Sequence, residues 1–277
     1  MKKNKISTIL IYVVLSLWAL STIYPFVWVV VNAFKPSNAI ITDAFSLPIG
    51  NFTFDNFRNA IYGEYNILRA YVNSLIISSS VVILVSLFAG LASFALARYD
   101  FRFKNMVYGL VIICMMFPIF SIIFPLYDLL IKFNLGGKHL GVILPQTAGN
   151  VGFAVIILTG FIKQLPLEVE ESAYIDGANL PQVLIYLILP MAKSAFATTA
   201  IFVFLWSYND LFLQMLVLKR KSVMPISAIL REISSKYGTD FGLMAASVAL
   251  ISVPILIVYF ILQKHIIKGL TAGAIKG

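Results

Sequence analysis

Charge is scarce in this chain. Of its 277 residues only 12% are Asp, Glu, Lys or Arg while 60% are hydrophobic, and the mean hydropathy is +0.92. That composition excludes a soluble globular domain and points to a polytopic membrane protein. Cysteine is nearly absent: Cys114 stands alone inside an apolar run, which excludes a disulfide framework and a thiolate metal site. His139 and His265 are the only histidines and lie far apart, so no metal centre and no cofactor are expected. A phosphate-binding G-x-x-x-x-G-K-[ST] loop is also missing. The nearest approach, LGGKHLG at Leu135 to Gly141, follows its lysine with histidine and lacks the upstream glycine. The net charge of +9 raises nucleic acid as a partner. Its Lys and Arg residues are scattered in short connections rather than gathered on a stripe with aromatics, which argues against that partner.

What the chain has in quantity is long apolar runs. They recur at about 9–31, 70–97, 105–130, 141–162, 191–218 and 242–263, each near the roughly 20 residues that cross a bilayer. Six transmembrane helices are expected, because backbone groups in lipid must be satisfied within the segment and barrel strands would alternate over about ten residues. The first run follows the basic start MKKNK and is too long for a signal-peptide core, so it is read as a retained anchor. Pro118, Pro145 and Pro254 fall inside these runs as kinks. An even number of spans puts both termini on one side. With the N-terminus inside, eleven Lys and Arg fall inside and ten outside; the tie is tipped inward by the first span and by the compact Arg98 to Lys104 turn.

The connections are unequal. Residues 32–69 form a long outer segment whose FTFDNFRNAIYG suits a short surface helix, with Phe54, Phe57 and Ile61 on one face and Asp55 in the first turn. Residues 219–241 form a basic outer segment, and 163–190 the long inner one.

The inner segment contains EESAYIDGANLPQVLIYLILP, Glu170 to Pro190. Pro166 followed by Glu168, Glu170 and Glu171 is a helix start, since proline's missing N–H is harmless there and acids favour the positive end of the dipole. Asp176 and Gly177 read as a stop, with glycine free to turn left-handed. A second helix starts at once, with Asn179 as cap, Pro181 in the first turn and Gln182 three residues after the cap. Ser172, Ala173 and Ala178 are small enough for another backbone to come close. Two readings stand on these residues alone: a docking knob, or a solvated connector between spans.

The spacing carries a resemblance. Glu171-Ser-Ala, then Gly177, then Leu189-Pro190 resembles the EAA motif of permease subunits in bacterial ABC importers, E-A-A-x3-G-x9-I-x-L-P, with Ser172 for the second Ala and Leu187 for the Ile. YVNSLIISS at Tyr71 to Ser79 and WSYND at Trp206 to Asp210 resemble further stretches of that family. The tail GLTAGAIKG, Gly269 to Gly277, is similar to the ending of carbohydrate permeases of the maltose-transporter G-subunit type.

The resemblance implies an all-α type I ABC importer permease fold with six spans in the bacterial cytoplasmic membrane, both termini cytoplasmic. It divides the chain into 1–69, an anchor and outer segment; 70–264, a permease core with the EAA loop at 163–190; and 265–277, a cytoplasmic tail. It implies import of a sugar, an oligosaccharide in the first instance. The implied partners are a second, homologous permease, two cytoplasmic ATPase subunits that hydrolyse the ATP, and an extracytoplasmic sugar-binding protein, all around membrane lipid. It also assigns residues. Glu171 is a charged contact to the ATPase, Ser172, Ala173 and Ala178 permit close approach, Gly177 makes the turn, Asp176 caps or contacts, and Leu189 and Pro190 close the motif. Gly269, Thr271, Gly273, Lys276 and Gly277 are candidates for a tail reaching between the ATPase subunits.

Trp206, Tyr208, Asn209 and Asp210 are candidates for the translocation path, because ionisable groups within spans are functional by default. The alternatives stay open: Asp210 at a helix end, Trp206 and Tyr208 in the aromatic belt. A secondary transporter would need a coupling-ion carboxylate and paired repeats, for which only Asp210 speaks. A membrane-embedded enzyme would need clustered His, Glu or Asp at matched depth, which the spans do not supply. Within the importer reading, a non-sugar substrate remains the alternative.

Overall fold

The computed structural model describes residues 5–236, 240–252 and 256. Among them every regular element is helical. They fall into two compact units, one of residues 5–70 with 228–252 and 256, the other of residues 71–227.

The first unit opens with α1, Lys5–Ala33, apolar all round and containing Pro25. All of residues 9–27 are exposed, as suits a helix whose solvent is hydrocarbon. Its last turn is closed by side chains from further along. The amide of Asn56 donates to the carbonyls of Ala33 at 2.9 Å and Lys35 at 2.7 Å, taking up helix-end acceptors that would otherwise lack partners. α2, Ser37–Thr42, follows. The wholly buried Lys35 bends back to its end, donating from Nζ to the Asp43 carbonyl and Ser46 Oγ, both at 3.2 Å. The surface helix expected from FTFDNFRNAIYG is present as α3, Asp55–Tyr62, with Asp55 in its first turn and Asn56 and Ala60 buried. Phe34 gathers Phe52, Phe54 and Phe57 around it, with centroids 4.8–5.5 Å apart.

α4, Ile67–Arg98, runs for 32 residues. Within the second unit it packs with α7, Leu140–Ile162, around Ile77, Val81, Val85, Val155 and Leu158, all at most 1% exposed. Ser93 Oγ on α4 donates to the Val155 carbonyl at 3.1 Å. Pro145 lies inside α7 as expected. The run expected to cross once at 105–130 is instead two helices, α5, Lys104–Met115, and α6, Ile119–Lys132, bent by 100°. Pro118 sits at the break in an extended conformation, where it forbids continuation and pushes the residue before it out of the helical region.

The inner segment forms α8, Leu167–Ile175, and α9, Leu180–Met191, which meets α10, Lys193–Asn209, at 79°. The run expected at 191–218 is therefore not one helix either: α10 stops at Asn209 and a short α11, Phe212–Val217, follows. The basic segment holds an unforeseen helix, α12, Ile226–Lys236, with Ile226, Ile229 and Ile233 buried. α13, Phe241–Ser252, is the described part of the sixth expected span. Among the described residues three helices are long and apolar enough to cross a membrane, and up to five spans result if each bent pair counts as one. Pro254, His265 and the tail residues Gly269, Thr271, Gly273, Lys276 and Gly277 lie outside the described residues.

Candidate functional site

The α8–α9 segment is built as its local chemistry dictates. Pro166 stands at the N-cap of α8 and Glu168 and Glu170 in its first turn. At the other end Gly177 has φ +86°. The Gly177 N–H donates to the Tyr174 carbonyl at 3.1 Å and the Ala178 N–H to the Ala173 carbonyl at 2.9 Å. That pair of bonds is a Schellman stop, which requires the left-handed residue glycine supplies. Asn179 then accepts from the Gln182 N–H at 3.1 Å while the Gln182 side chain accepts from the Asn179 N–H at 2.8 Å, a complete capping box. With both ends closed, the turn between the helices has little slack.

α9 widens into a π-helical stretch over Val183–Ile188 before Leu189 and Pro190. A proline has no N–H for the carbonyl four residues before it, and a π turn at that place re-registers the ladder.

The segment's faces differ. Glu171, Ser172, Asp176, Gly177 and Pro190 are exposed. Ile175, at the tip, is 86% exposed, with Tyr174 and Leu189 also open. Ala173 and Ala178 are half-buried and pack against the second unit's own core, and Ser172 Oγ returns to the Glu168 carbonyl at 2.7 Å. Glu170 points the other way, buried and ion-paired with Arg98. Sequence reading placed Glu170 in a helix start and Arg98 in a basic turn, and did not pair the two. The Tyr174 phenol is pushed above its ordinary range, by desolvation first and then by the neighbouring Tyr99 phenol.

The second constellation divides in two. Asp210 sits at the break between α10 and α11. One carboxylate oxygen accepts from Gln146 Nε2 at 2.8 Å and the other from the Leu213 N–H at 3.2 Å. Ser207 Oγ donates to Gln146 Oε1 at 2.6 Å, and Gln214 Nε2 to the Ser207 carbonyl at 2.7 Å. Ser227 Oγ closes the network on Gln214 Oε1 and, at 3.3 Å, on the Asp210 carbonyl. Asp210 thus stands at the end of α10 and braces its break with α11. Tyr208 is buried and stacked on Phe204 at 5.6 Å. Trp206 is 46% exposed and packs edge-on against Phe153 at 4.7 Å, while Asn209 is exposed and bonded to the Leu205 carbonyl. The structure therefore leaves Trp206 and Asn209 open, buries Tyr208 and half-buries Asp210. Among the described residues no cluster of three or more metal-ligating side chains occurs; the His139 ring nitrogen lies 3.0 Å from the Val223 carbonyl.

Residues 82–272 match the family described as binding-protein-dependent transport system inner membrane component. The diacetylchitobiose uptake system permease protein NgcG of Streptomyces coelicolor is 32% identical, the match covering 96% of this chain and 88% of that protein. The trehalose transport system permease protein SugB of Mycobacterium tuberculosis is 30% identical, over 91% and 92%. The arabinooligosaccharides transport system permease protein AraQ of Bacillus subtilis is 28% identical, over 99% and 96%. A chain of a bacterial ABC transporter involved in the import of the acidic polysaccharide alginate superposes with a TM-score of 0.81 at 20% identity, over 95% of this chain and 98% of that one; this likeness shows a shared fold. The chain is membrane-embedded and belongs to the family of inner membrane components of binding-protein-dependent transport systems.

Proposed function

We propose that the chain is a permease subunit of an ATP-driven importer of sugars, oligosaccharides in the first instance, which shares its translocation path with a second permease. In this reading six helices cross the membrane, both termini are cytoplasmic, and an extracytoplasmic binding protein delivers the sugar. Residues 163–190 dock on cytoplasmic ATPases, and the tail residues Gly269 to Gly277 reach between them. The observation that carries the docking role is the tip of the α8–α9 turn, where Ile175 is 86% exposed beside exposed Glu171 and Asp176. With the adjacent Tyr174 also open, the turn presents apolar side chains flanked by acids, which supports a partner surface over a solvated connector. Supporting the sugar is the naming of relatives matched over more than nine-tenths of the chain as transporters of diacetylchitobiose, trehalose and arabinooligosaccharides.

Energy must enter from outside the chain, and a docked helix is how it enters. Closure of the ATPase pair on ATP would move α8 and α9 as one body, since their junction is capped on both sides, and that movement would reopen the path. Asp210 is assigned to shaping the helix break, with Trp206 and Asn209 as the residues presented to a permeant or a neighbouring subunit. The test has two parts. A deletion strain grown on a panel of mono- and oligosaccharides should lose growth on at least one; unchanged growth on all of them would count against a sugar substrate. In the assembled transporter, Gly177→Leu should stay in the membrane yet lose sugar-stimulated ATP hydrolysis, and full stimulation in that variant would refute docking through this turn.

A further inference from the structure

Two neighbouring acids on α8 face opposite ways. Glu171 is exposed, while Glu170 is only 5% exposed. The Glu170 carboxylate accepts from Arg98 Nε at 2.7 Å and is ion-paired with the same guanidinium's Nη2. That Nη2 also donates to the Leu165 carbonyl at 3.0 Å. Both side chains are more than nine-tenths buried.

Arg98 is the last residue of the 32-residue α4. Its one guanidinium therefore ties the end of a membrane-spanning helix both to α8 and to the chain entering it. Such a pair is a poor device for stability alone, because the desolvation of two charges offsets much of their attraction. What a planar guanidinium fork adds is geometry, with two or three bonds at fixed angles. α8 has nine residues, too few to hold a helix or an orientation unaided. A further tie to this end of α4 is the contact of Tyr174 with Tyr99, and both of those rings are well exposed.

We propose that Arg98 and Glu170 are the positioning residues of energy coupling, the fork through which displacement of the docked α8 becomes displacement of α4. The proposal rests on the reading of α8 as the ATPase-docking element. Glu171 belongs to the docking surface and Glu170 to transmission, so adjacent acids serve successive steps. Neither residue of the fork touches the permeant.

The experiment uses the complete transporter in proteoliposomes and reads three quantities: ATPase retained on purification, ATP hydrolysed, and sugar delivered per ATP. Glu170→Gln removes the charge and keeps the shape; Arg98→Lys keeps the charge and removes the fork. Both should retain the ATPase, and sugar delivered per ATP should fall by about fivefold or more, the lower end of typical site-to-site couplings. The double variant Arg98→Met with Glu170→Leu, which refills the space without charge, covers the case in which a single variant does not accumulate; it should assemble and be equally uncoupled. Wild-type sugar per ATP in the assembled variants overturns the proposal. So does loss of the ATPase from Glu170→Gln as complete as from Glu171→Lys, which would move Glu170 to the docking surface. If neither Glu171→Lys nor Gly177→Leu weakens ATPase retention, the docking reading fails and carries this proposal down with it, a result distinct from failure of the fork alone.

Discussion

At the scale of single residues, the α8–α9 turn and the end of α4 show how much a neighbourhood decides. A side chain added at Gly177 would meet nothing within 4 Å, so the demand for glycine there comes wholly from φ +86°. Gly177→Ala should therefore cost about 1–2 kcal/mol of backbone strain, and Gly177→Asn less, read as thermal midpoints of the detergent-solubilised protein. Two ion pairs stand within one turn of each other and should behave differently. Lys104 holds the fully exposed Asp100 carboxyl below its usual range, by hydrogen bond first and charge second. Such a group contributes above its unfolded value and loses its contribution as pH falls through the depressed one, but water screens the pair, so Asp100→Asn should leave stability unchanged at neutral pH. Arg98→Ala strands a buried carboxylate and should cost about 3–5 kcal/mol. The turn was legible in the sequence because caps and left-handed glycines are local events written within four residues. The fork was not, since its members lie 72 residues apart and nothing local separates Glu170 from Glu171.

At the scale of elements, hydropathy gave the positions of the apolar runs and missed where they break. The run at 191–218 reads as one span because Asn209 and Asp210 barely dent its average. A finer signal was present: Ser207 and Gln214 lie two turns apart on one helical face, a polar stripe that has to be satisfied internally in lipid. The structure satisfies it by stopping α10 and letting the Asp210 carboxylate receive the Leu213 N–H and Gln146. Asp210→Ala should then destabilise the protein by about 1–3 kcal/mol through the unpaired Gln146 and the lost cap, whereas Asp210→Asn, whose amide oxygen still accepts, should lose less. Equal thermal midpoints for Asp210→Ala and the wild type, with transport altered, would return Asp210 to the translocation path. The break at Pro118 was announced by its residue type and misread as a kink, because a proline alone does not say whether neighbours will re-satisfy the freed carbonyls.

At the scale of the whole molecule, the question is what covers the apolar surface. All of residues 9–27 on α1 are exposed, and so are Leu87, Phe88 and Leu91 on α4 and Leu110 and Ile113 on α5. Lipid can cover such faces, since hydrocarbon is as apolar as leucine, and helix association in a bilayer then depends on packing and on polar contacts rather than on escape from water. A second permease that binds the folded chain stabilises it by mass action, in proportion to the logarithm of partner concentration over its dissociation constant. Co-purification with that permease should therefore raise the thermal midpoint of this chain, and the rise should shrink on dilution of the pair. If the α8–α9 turn docks on ATPase subunits as proposed, the chain purified alone and placed in vesicles should neither hydrolyse ATP nor accumulate sugar. Accumulation by this polypeptide by itself, driven by an ion gradient, would identify a secondary transporter and require Asp210 to serve as more than the brace of a helix break.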